Sequence, residues 1–345
     1  MKKLLIIIFV SFISLFGFIS LFNKEEISFY ERRHLKKKPD LIKNNSFNEN
    51  YFDDLDKYLG DHFIFRQKFR EVKCFVNYNL FNISINNKVT IKDDYLFELS
   101  EVNYKSLDNI VNKINDIVSK FNISDYNVLS IPLKNHYVGL DNTSEEIDEY
   151  LGLKLDNYSS LKDVLSLDDY YRTDIHIKQD RLDGVVSRIL ELCGVEQKNV
   201  KYTYESYDKF YGSLYAKMAI SMRPDTITYL TNDLLNNVKV ESAEDKKLLG
   251  IYNELELESL DPYSVYLNGP KAYLKIVNEN VEDRKLIIFR DSYTSSIAPL
   301  LVPYFSEIEL IDLRYYDSDL LNIDGNTKVL FIYGSEVLNN SFSIK

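Results

Sequence analysis

The first apolar block of the chain is continuous, not periodic. Leu4–Phe22 runs 19 residues without a charge, directly behind Lys2 and Lys3. As a helix rising 1.5 Å per residue it spans roughly 28 Å, enough for the hydrocarbon core of a bilayer. Its exit, Phe18-Ile-Ser-Leu-Phe-Asn, is bulky, whereas a cleaved signal ends in a small-x-small site. An uncleaved anchor over residues 1–22 is therefore expected. Lys2 and Lys3 on one side, and Arg32, Arg33 and Lys36–Lys38 on the other, divide the positive-inside vote. A short lysine-bearing start followed at once by an apolar run reads as an export signal. The expectation is a single-pass protein of the cell membrane with its body outside.

Beyond the anchor the patterns become periodic. Residues 23–45 read as a charged, loosely ordered stalk. Over residues 47–80, Phe52, Leu55, Leu59, then Phe65, Phe69 and Val72 fall at helical spacing. Residues 23–80 thus form a stalk and helical extension, and residues 81–345 the main domain. There, Lys88-Val-Thr-Ile-Lys and Tyr95-Leu-Phe-Glu-Leu predict short strands. Leu107, Ile110, Val111, Ile114, Ile117, Val118 and Phe121 predict a helix over 106–121, with Ser106 as N-cap. The strand-like run Asn127-Val-Leu-Ser-Ile-Pro follows. A second helix is expected over about 180–193. Apolar runs of strand length return at Lys285-Leu-Ile-Ile-Phe, Ile308-Glu-Leu-Ile and Lys328-Val-Leu-Phe-Ile-Tyr. Strands alternating with helices predict an α/β fold, a mostly parallel sheet with helices on its faces.

Composition narrows the class. The 345 residues carry 42 Lys+Arg against 53 Asp+Glu, a net charge of −11, and have no basic block past the first 40 residues. That balance argues against binding a phosphate backbone, so nucleic acid is not an expected partner. Two cysteines, Cys74 and Cys193, make neither a disulfide framework nor a zinc site by themselves. Whether they pair is left open. Trp is absent and Tyr numbers 27, so large amphipathic contacts must come from phenols.

In open α/β sheets, sites form at the carboxyl ends of strands. The strand Leu286–Phe289 runs into Arg290-Asp291-Ser292-Tyr293 and then a helix expected from Thr294. Ser292 on such a turn exposes its hydroxyl beside backbone N–H groups that stabilise developing negative charge. On the Asp-Ser pair alone, a helix-capping role is the simpler explanation. A serine nucleophile needs a base. His34 lies in the basic stalk, His62 sits among aromatics as a packing residue, and His136 in a loop after a strand is an outside candidate. His176 has Asp174 two residues before it, and in an extended segment the two side chains share a face. The carboxylate can then orient the imidazole towards a serine hydroxyl, although a hydrogen-bonded surface pair explains the same spacing. No second histidine stands at zinc-ligand spacing.

Several segments stand out in order along the chain. They are Glu31-Arg-Arg-His-Leu-Lys-Lys-Lys-Pro39, Tyr51–Arg66, Ile131-Pro-Leu-Lys134, Tyr171-Arg-Thr-Asp174-Ile-His176 and Phe210-Tyr-Gly-Ser-Leu214. Tyr263-Ser-Val-Tyr-Leu-Asn-Gly269, Arg290-Asp-Ser292-Tyr and Ile311-Asp-Leu-Arg-Tyr-Tyr316 complete the set. Taken together these segments resemble the bacterial DHHW proteins, relatives of the alginate O-acetylation proteins of SGNH-hydrolase-like fold, and the resemblance covers nearly the whole chain after the anchor. It implies Ser292 as nucleophile, His176 as general base and Asp174 as its orienter. The family's Asp-His-His-Trp tetrad reads Asp174-Ile-His-Ile here, and its Gly-Gly-Asn stretch reads Asn268-Gly269-Pro270. Gly269 N–H and the Asn268 amide then stand as oxyanion donors beside the Ser292 N–H. Asp312 and Arg314 are placed at the cleft, with an internal salt bridge as the simpler account of that pair.

The implied activity is O-acetyl transfer to an extracellular polysaccharide, with a cellulose-like polymer among the acceptors. A membrane-bound O-acyltransferase is the implied acetyl donor partner, and no cofactor or metal is implied. The alternatives are an acetyl esterase with the same triad and a non-catalytic polysaccharide-binding or assembly protein.

Overall fold

The computed structural model describes residues 2–20, 22–43 and 45–344. Met1 and Leu21, both inside the expected anchor segment, lie outside the described residues. The chain divides into two compact units, one of residues 1–91 with 213–223, the other of residues 92–212 with 224–345.

The larger unit is built on seven strands: β1 (Tyr126–Ile131), β2 (Tyr158–Ser160), β3 (Val240–Ser242), β4 (Tyr273–Val277), β5 (Lys285–Arg290), β6 (Glu307–Ile311) and β7 (Lys328–Gly334). Their spatial order is β3-β4-β6-β5-β7-β1-β2. Pairing is parallel from β6 across to β2, and β4 and β3 extend the β6 edge antiparallel. The expected mostly parallel sheet is thus present, with an antiparallel margin, the mixed arrangement common in doubly wound sheets.

The side chains of the central strands alternate between two cores. Leu286, Ile288, Leu330, Ile332, Leu129 and Ile131 fall in one hydrophobic cluster, while Ile287, Phe289, Val329, Phe331 and Val128 fall in the other. That is the period of two that sends successive residues to opposite faces. Both faces are covered, which is why these strands read as unbroken apolar runs and not as alternating ones. The longer helices are α1 (Lys2–Ser20), α2 (Tyr51–Asp61), α3 (Arg66–Leu80), α4 (Tyr104–Lys120), α5 (Thr143–Gly152), α6 (Asp183–Leu192) and α7 (Thr294–Leu301). α6 and α7 supply Val185, Ile189, Ile297 and Leu301 to the first cluster. α4 and α5 supply Leu107, Ile110, Ile114, Ile147 and Leu151 to the second. Each such side chain, withdrawn from water, contributes about 1.5–3 kcal/mol.

Several local expectations are corrected. Asn103, not Ser106, caps α4: its side chain accepts from the Ser106 N–H. Ser106 lies inside the helix, where its hydroxyl donates to the Leu338 carbonyl. The helix expected over 180–193 begins as a 3₁₀ turn at Gln179–Arg181 before α6. A two-stranded antiparallel ribbon, Thr203–Phe210 with Asp225–Thr231, was not read as a pair. Its first strand is mostly solvent-exposed, so it lacks the alternation that marks a half-buried strand.

The smaller unit holds α1, α2 and α3. The expected helical stretch is broken at residues 62–65, where Phe65 adopts a left-handed backbone with φ 58°. α1 is long and apolar enough to cross a membrane, a property that a membrane anchor and a signal sequence share. Arg33 pairs with Asp61 through two hydrogen bonds of 2.6 and 2.8 Å, and Glu31 accepts from Arg33, Arg66 and Arg70. The buried His62 packs its ring on Tyr58 and bonds the Lys36 carbonyl, as a packing residue should. Cys74 and Cys193 are both free thiols.

Candidate active site

β5 is a topological switch point: the next strand, β6, pairs on one side of it, and β7 on the other. Connections that diverge from one strand leave a crevice at its carboxyl end, where ligands bind in open α/β sheets. Ser292 stands two residues past the end of β5 and two before α7.

It does not cap the helix. The N-cap position of α7 is Tyr293, and no side chain caps there. Asp291 fastens the turn instead: its carboxylate accepts the Tyr293 N–H at 3.0 Å and the Gly334 N–H, at the end of β7, at 2.6 Å. Burial pushes the Asp291 carboxyl up, opposed by the hydrogen bond from Gly334. Gly334 is required, because a Cβ there would overlap the Tyr293 ring. The serine hydroxyl is thereby left free of the backbone and partly exposed.

The Ser292 Oγ lies 2.8 Å from His176 Nε2, and His176 Nδ1 lies 2.5 Å from Asp174 Oδ1. A carboxylate only accepts, so the ring donates from Nδ1 and presents Nε2 as the acceptor for the serine proton. Asp174 is fully buried, and His176 is 8% exposed. One face of the imidazole is stacked on Tyr263, with ring centroids 4.0 Å apart and planes 14° apart. Ser292, His176 and Asp174 therefore form one hydrogen-bonded line, the arrangement that general-base activation of a hydroxyl needs.

The loop that carries Asp174 and His176 is held from several sides. Tyr170 bridges Ile177, and the Tyr171 N–H donates to the His176 carbonyl, which closes the loop on itself. The buried Lys134, just past β1, donates to the carbonyls of Tyr171, Arg172 and Asp174 at 2.9, 3.2 and 2.8 Å. Three acceptors match the three N–H bonds of an ammonium and hold the charged form. Burial nonetheless pulls this lysine down to about 7, against the upward pull of Asp174, Asp225 and Glu336. Asp225 accepts from the Thr173 N–H and hydroxyl, and the Thr173 hydroxyl in turn accepts from the Gly212 N–H. A Cβ on Gly212 would collide with Asp174. Tyr293 bonds the Ile175 carbonyl and the buried carboxyl of Glu336, at 2.9 Å each.

The other expected site residues behave differently. The Gly269 N–H donates to the Tyr266 carbonyl at 3.2 Å, and the Asn268 amide to the Gly250 carbonyl at 3.0 Å. The Gly269 N–H is thus engaged within its own turn and the Asn268 amide with the neighbouring Gly250, and Leu267, Asn268 and Gly269 all have positive φ. Arg314 donates to both carboxylate oxygens of Asp312 at 2.9 and 2.6 Å, the internal salt bridge. His136 faces Glu145 at 2.5 Å, apart from the line. Lys134, Tyr263, Tyr293 and Glu336 were not foreseen. Lys134, Tyr263 and Tyr293 stand in segments that carried the resemblance, but nothing in their spacing announces a role.

The α/β fold with a serine on the turn after a central strand is the architecture expected of an SGNH-hydrolase-like protein. Solved structures share this fold. The chain is similar to a DHHW family protein from Eubacterium siraeum, 23% identical, with a TM-score of 0.63 covering 75% of this chain and 95% of that one. It is also similar to PatB1 of Bacillus cereus, 18% identical, with a TM-score of 0.56 covering 72% and 96%. PatB1 with a sulfonyl adduct matches at 17% identity and a TM-score of 0.57, covering 72% and 95%. At these identities the likeness establishes a common fold. No family model and no curated protein matches the chain.

Proposed function

We propose that this protein is a membrane-anchored O-acetyltransferase that acts outside the cell on a polysaccharide, through an acetyl-serine intermediate on Ser292. The observation that carries the reading is the unbroken hydrogen-bonded line from Asp174 through His176 to Ser292 at the carboxyl end of β5. His176 Nε2 takes the serine proton as Oγ attacks the acetyl carbonyl. Asp174 stabilises the imidazolium that forms. The Ser292 N–H, on the turn into α7, is the backbone donor for the oxyanion, because Asn268 and Gly269 are engaged elsewhere. Collapse of the tetrahedral species expels the leaving alcohol with the proton from His176. A sugar hydroxyl, deprotonated by the same histidine, then resolves the ester.

The donor is a membrane-bound O-acyltransferase that delivers acetyl groups across the bilayer, and α1 keeps the enzyme beside it. The resemblance to DHHW proteins and the fold shared with a DHHW family protein support this reading.

The test uses the full chain in detergent with 4-nitrophenyl acetate. Ser292→Ala is expected to lower hydrolysis by about 10³-fold or more. An alanine variant with wild-type turnover contradicts the reading. Sulfonyl fluorides modify activated serine hydroxyls, and PatB1 is known with a sulfonyl adduct, so such a reagent should label Ser292 here. Supplying an unacetylated oligosaccharide then separates transfer from hydrolysis: a transferase yields acetylated sugar faster than free acetate, and an esterase the reverse.

A further inference from the structure

The helix α3 is built inside out. Phe69, Val72, Val76 and Leu80 follow at spacings of three, four and four, which places them on one face. In a helix of a water-soluble unit that stripe turns inward. Here Phe69, Val72 and Leu80 are 45%, 57% and 71% exposed. The opposite face is the anchored one: Cys74 is buried, and Arg70 donates to the Ala216 carbonyl and pairs with Glu31. Lys68 and Lys73, both exposed, flank the apolar stripe on either margin. An apolar stripe bordered by lysines whose stems can lie along it is the signature of a helix resting in a membrane interface.

The position of this stripe follows from α1. Phe16, one turn before the end of α1, has ring contacts with Phe63, Phe65 and Phe69 at centroid distances of 6.1, 6.4 and 6.1 Å. The Ser20 hydroxyl, in the last turn of α1, accepts the Ile64 N–H at 2.9 Å. The corner that starts α3 is therefore latched to the end of the apolar helix, where a spanning segment leaves the hydrocarbon. The exposed stripe of α3 continues the apolar surface of α1.

We infer that α3 docks on the lipid bilayer, its Phe69–Val72–Val76–Leu80 stripe seated among acyl chains at the interface and Lys68 and Lys73 reaching back to the headgroups. The occupant is lipid because the stripe is continuous with the membrane-crossing helix. The inference rests on the anchoring reading above. It adds that the smaller unit is tied to the membrane at two places, so that it lies against the surface instead of swinging from a tether.

The chain contains no tryptophan, so a single introduced indole reports its own surroundings. The full chain is reconstituted in vesicles of brominated phosphatidylcholine, with Trp placed by Val72→Trp or Leu80→Trp on the stripe. Phe9→Trp within α1 and Tyr204→Trp, on the exposed ribbon strand, serve as references. Both stripe variants are expected to be quenched by bromolipid severalfold more than Tyr204→Trp and to emit at shorter wavelength. Quenching at Phe9→Trp with none at either stripe position overturns the inference and leaves the anchor standing. No quenching at Phe9→Trp overturns the anchor and the inference together. Stripe indoles shielded from acrylamide but untouched by bromolipid also overturn it, and point to a protein partner on this face.

Discussion

The loop Tyr170–Ile177 and the turn Tyr266–Gly269 were both expected in the site, and they use their polar groups in opposite ways. In the loop, several backbone groups are satisfied from outside, by Lys134, Asp225 and Tyr293. His176 is left to face Ser292, with the Asp174 carboxylate behind it on Nδ1. In the turn, the donors close on Tyr266 and Gly250, and the ring stacked on the imidazole, Tyr263, comes from the 3₁₀ turn just before it. A functional side chain becomes available only where something else satisfies the backbone around it.

That contrast is open to attack by substitution. The largest expected effect is at the orienting carboxylate. Asp174→Asn should lower kcat for acetyl ester hydrolysis by about 10³–10⁴-fold while the protein keeps its fold, because the wrong tautomer then faces Ser292. Steady-state kinetics with circular dichroism checks it, and a loss under tenfold breaks the comparison.

Lys134→Met tests whether the loop depends on its outside support. It strands three buried carbonyls, so stability should fall by about 3 kcal/mol and kcat by about 10²-fold, read by denaturant titration and by turnover. Loss of stability without loss of turnover would show that the loop holds itself.

A pH effect of similar size comes from Glu336. Burial raises its carboxyl from the ordinary 4.5 to about 7. The folded protein then binds this proton more tightly than the unfolded chain. The stabilisation is complete below about 4.5 and is lost as pH rises through 7. Glu336→Gln, which keeps an acceptor for Tyr293, should remove up to about 3 kcal/mol of stability difference between pH 4.5 and pH 8. An unchanged pH dependence of melting contradicts the assignment.

The smallest effect belongs to the turn. Asn268→Ala should change kcat by about twofold or less, since the amide serves Gly250 and not the oxyanion. A loss of about 10² would restore Asn268 to the oxyanion hole.

The sheet was legible because its strands are buried on both faces. Leu286–Phe289 and Val329–Tyr333 announce themselves as apolar runs, and the helix over 106–121 by its spacing. The short edge strands β2 and β3, three residues each, carry too little pattern to be seen. Asp174 and His176 could be paired because two residues of one short segment meet by geometry alone. Lys134 and Glu336 could not, since each acts through partners about 40 residues or more away in sequence. The partners that Asn268 and Gly269 take, Gly250 and Tyr266, could not be read from residue type, because a positive φ at three successive residues is a property of the folded turn.

The central claim is that Ser292 carries the acetyl group. The most direct measurement is the mass of the intact protein, followed by peptide mapping, after rapid mixing with 4-nitrophenyl acetate and acid quench. The account predicts one acetyl group on Ser292, which accumulates further in Asp174→Asn if deacylation is the slower step, and none in Ser292→Ala. Turnover without an acetyl group on Ser292, or an acetyl group at another residue that Ser292→Ala leaves in place, would contradict it.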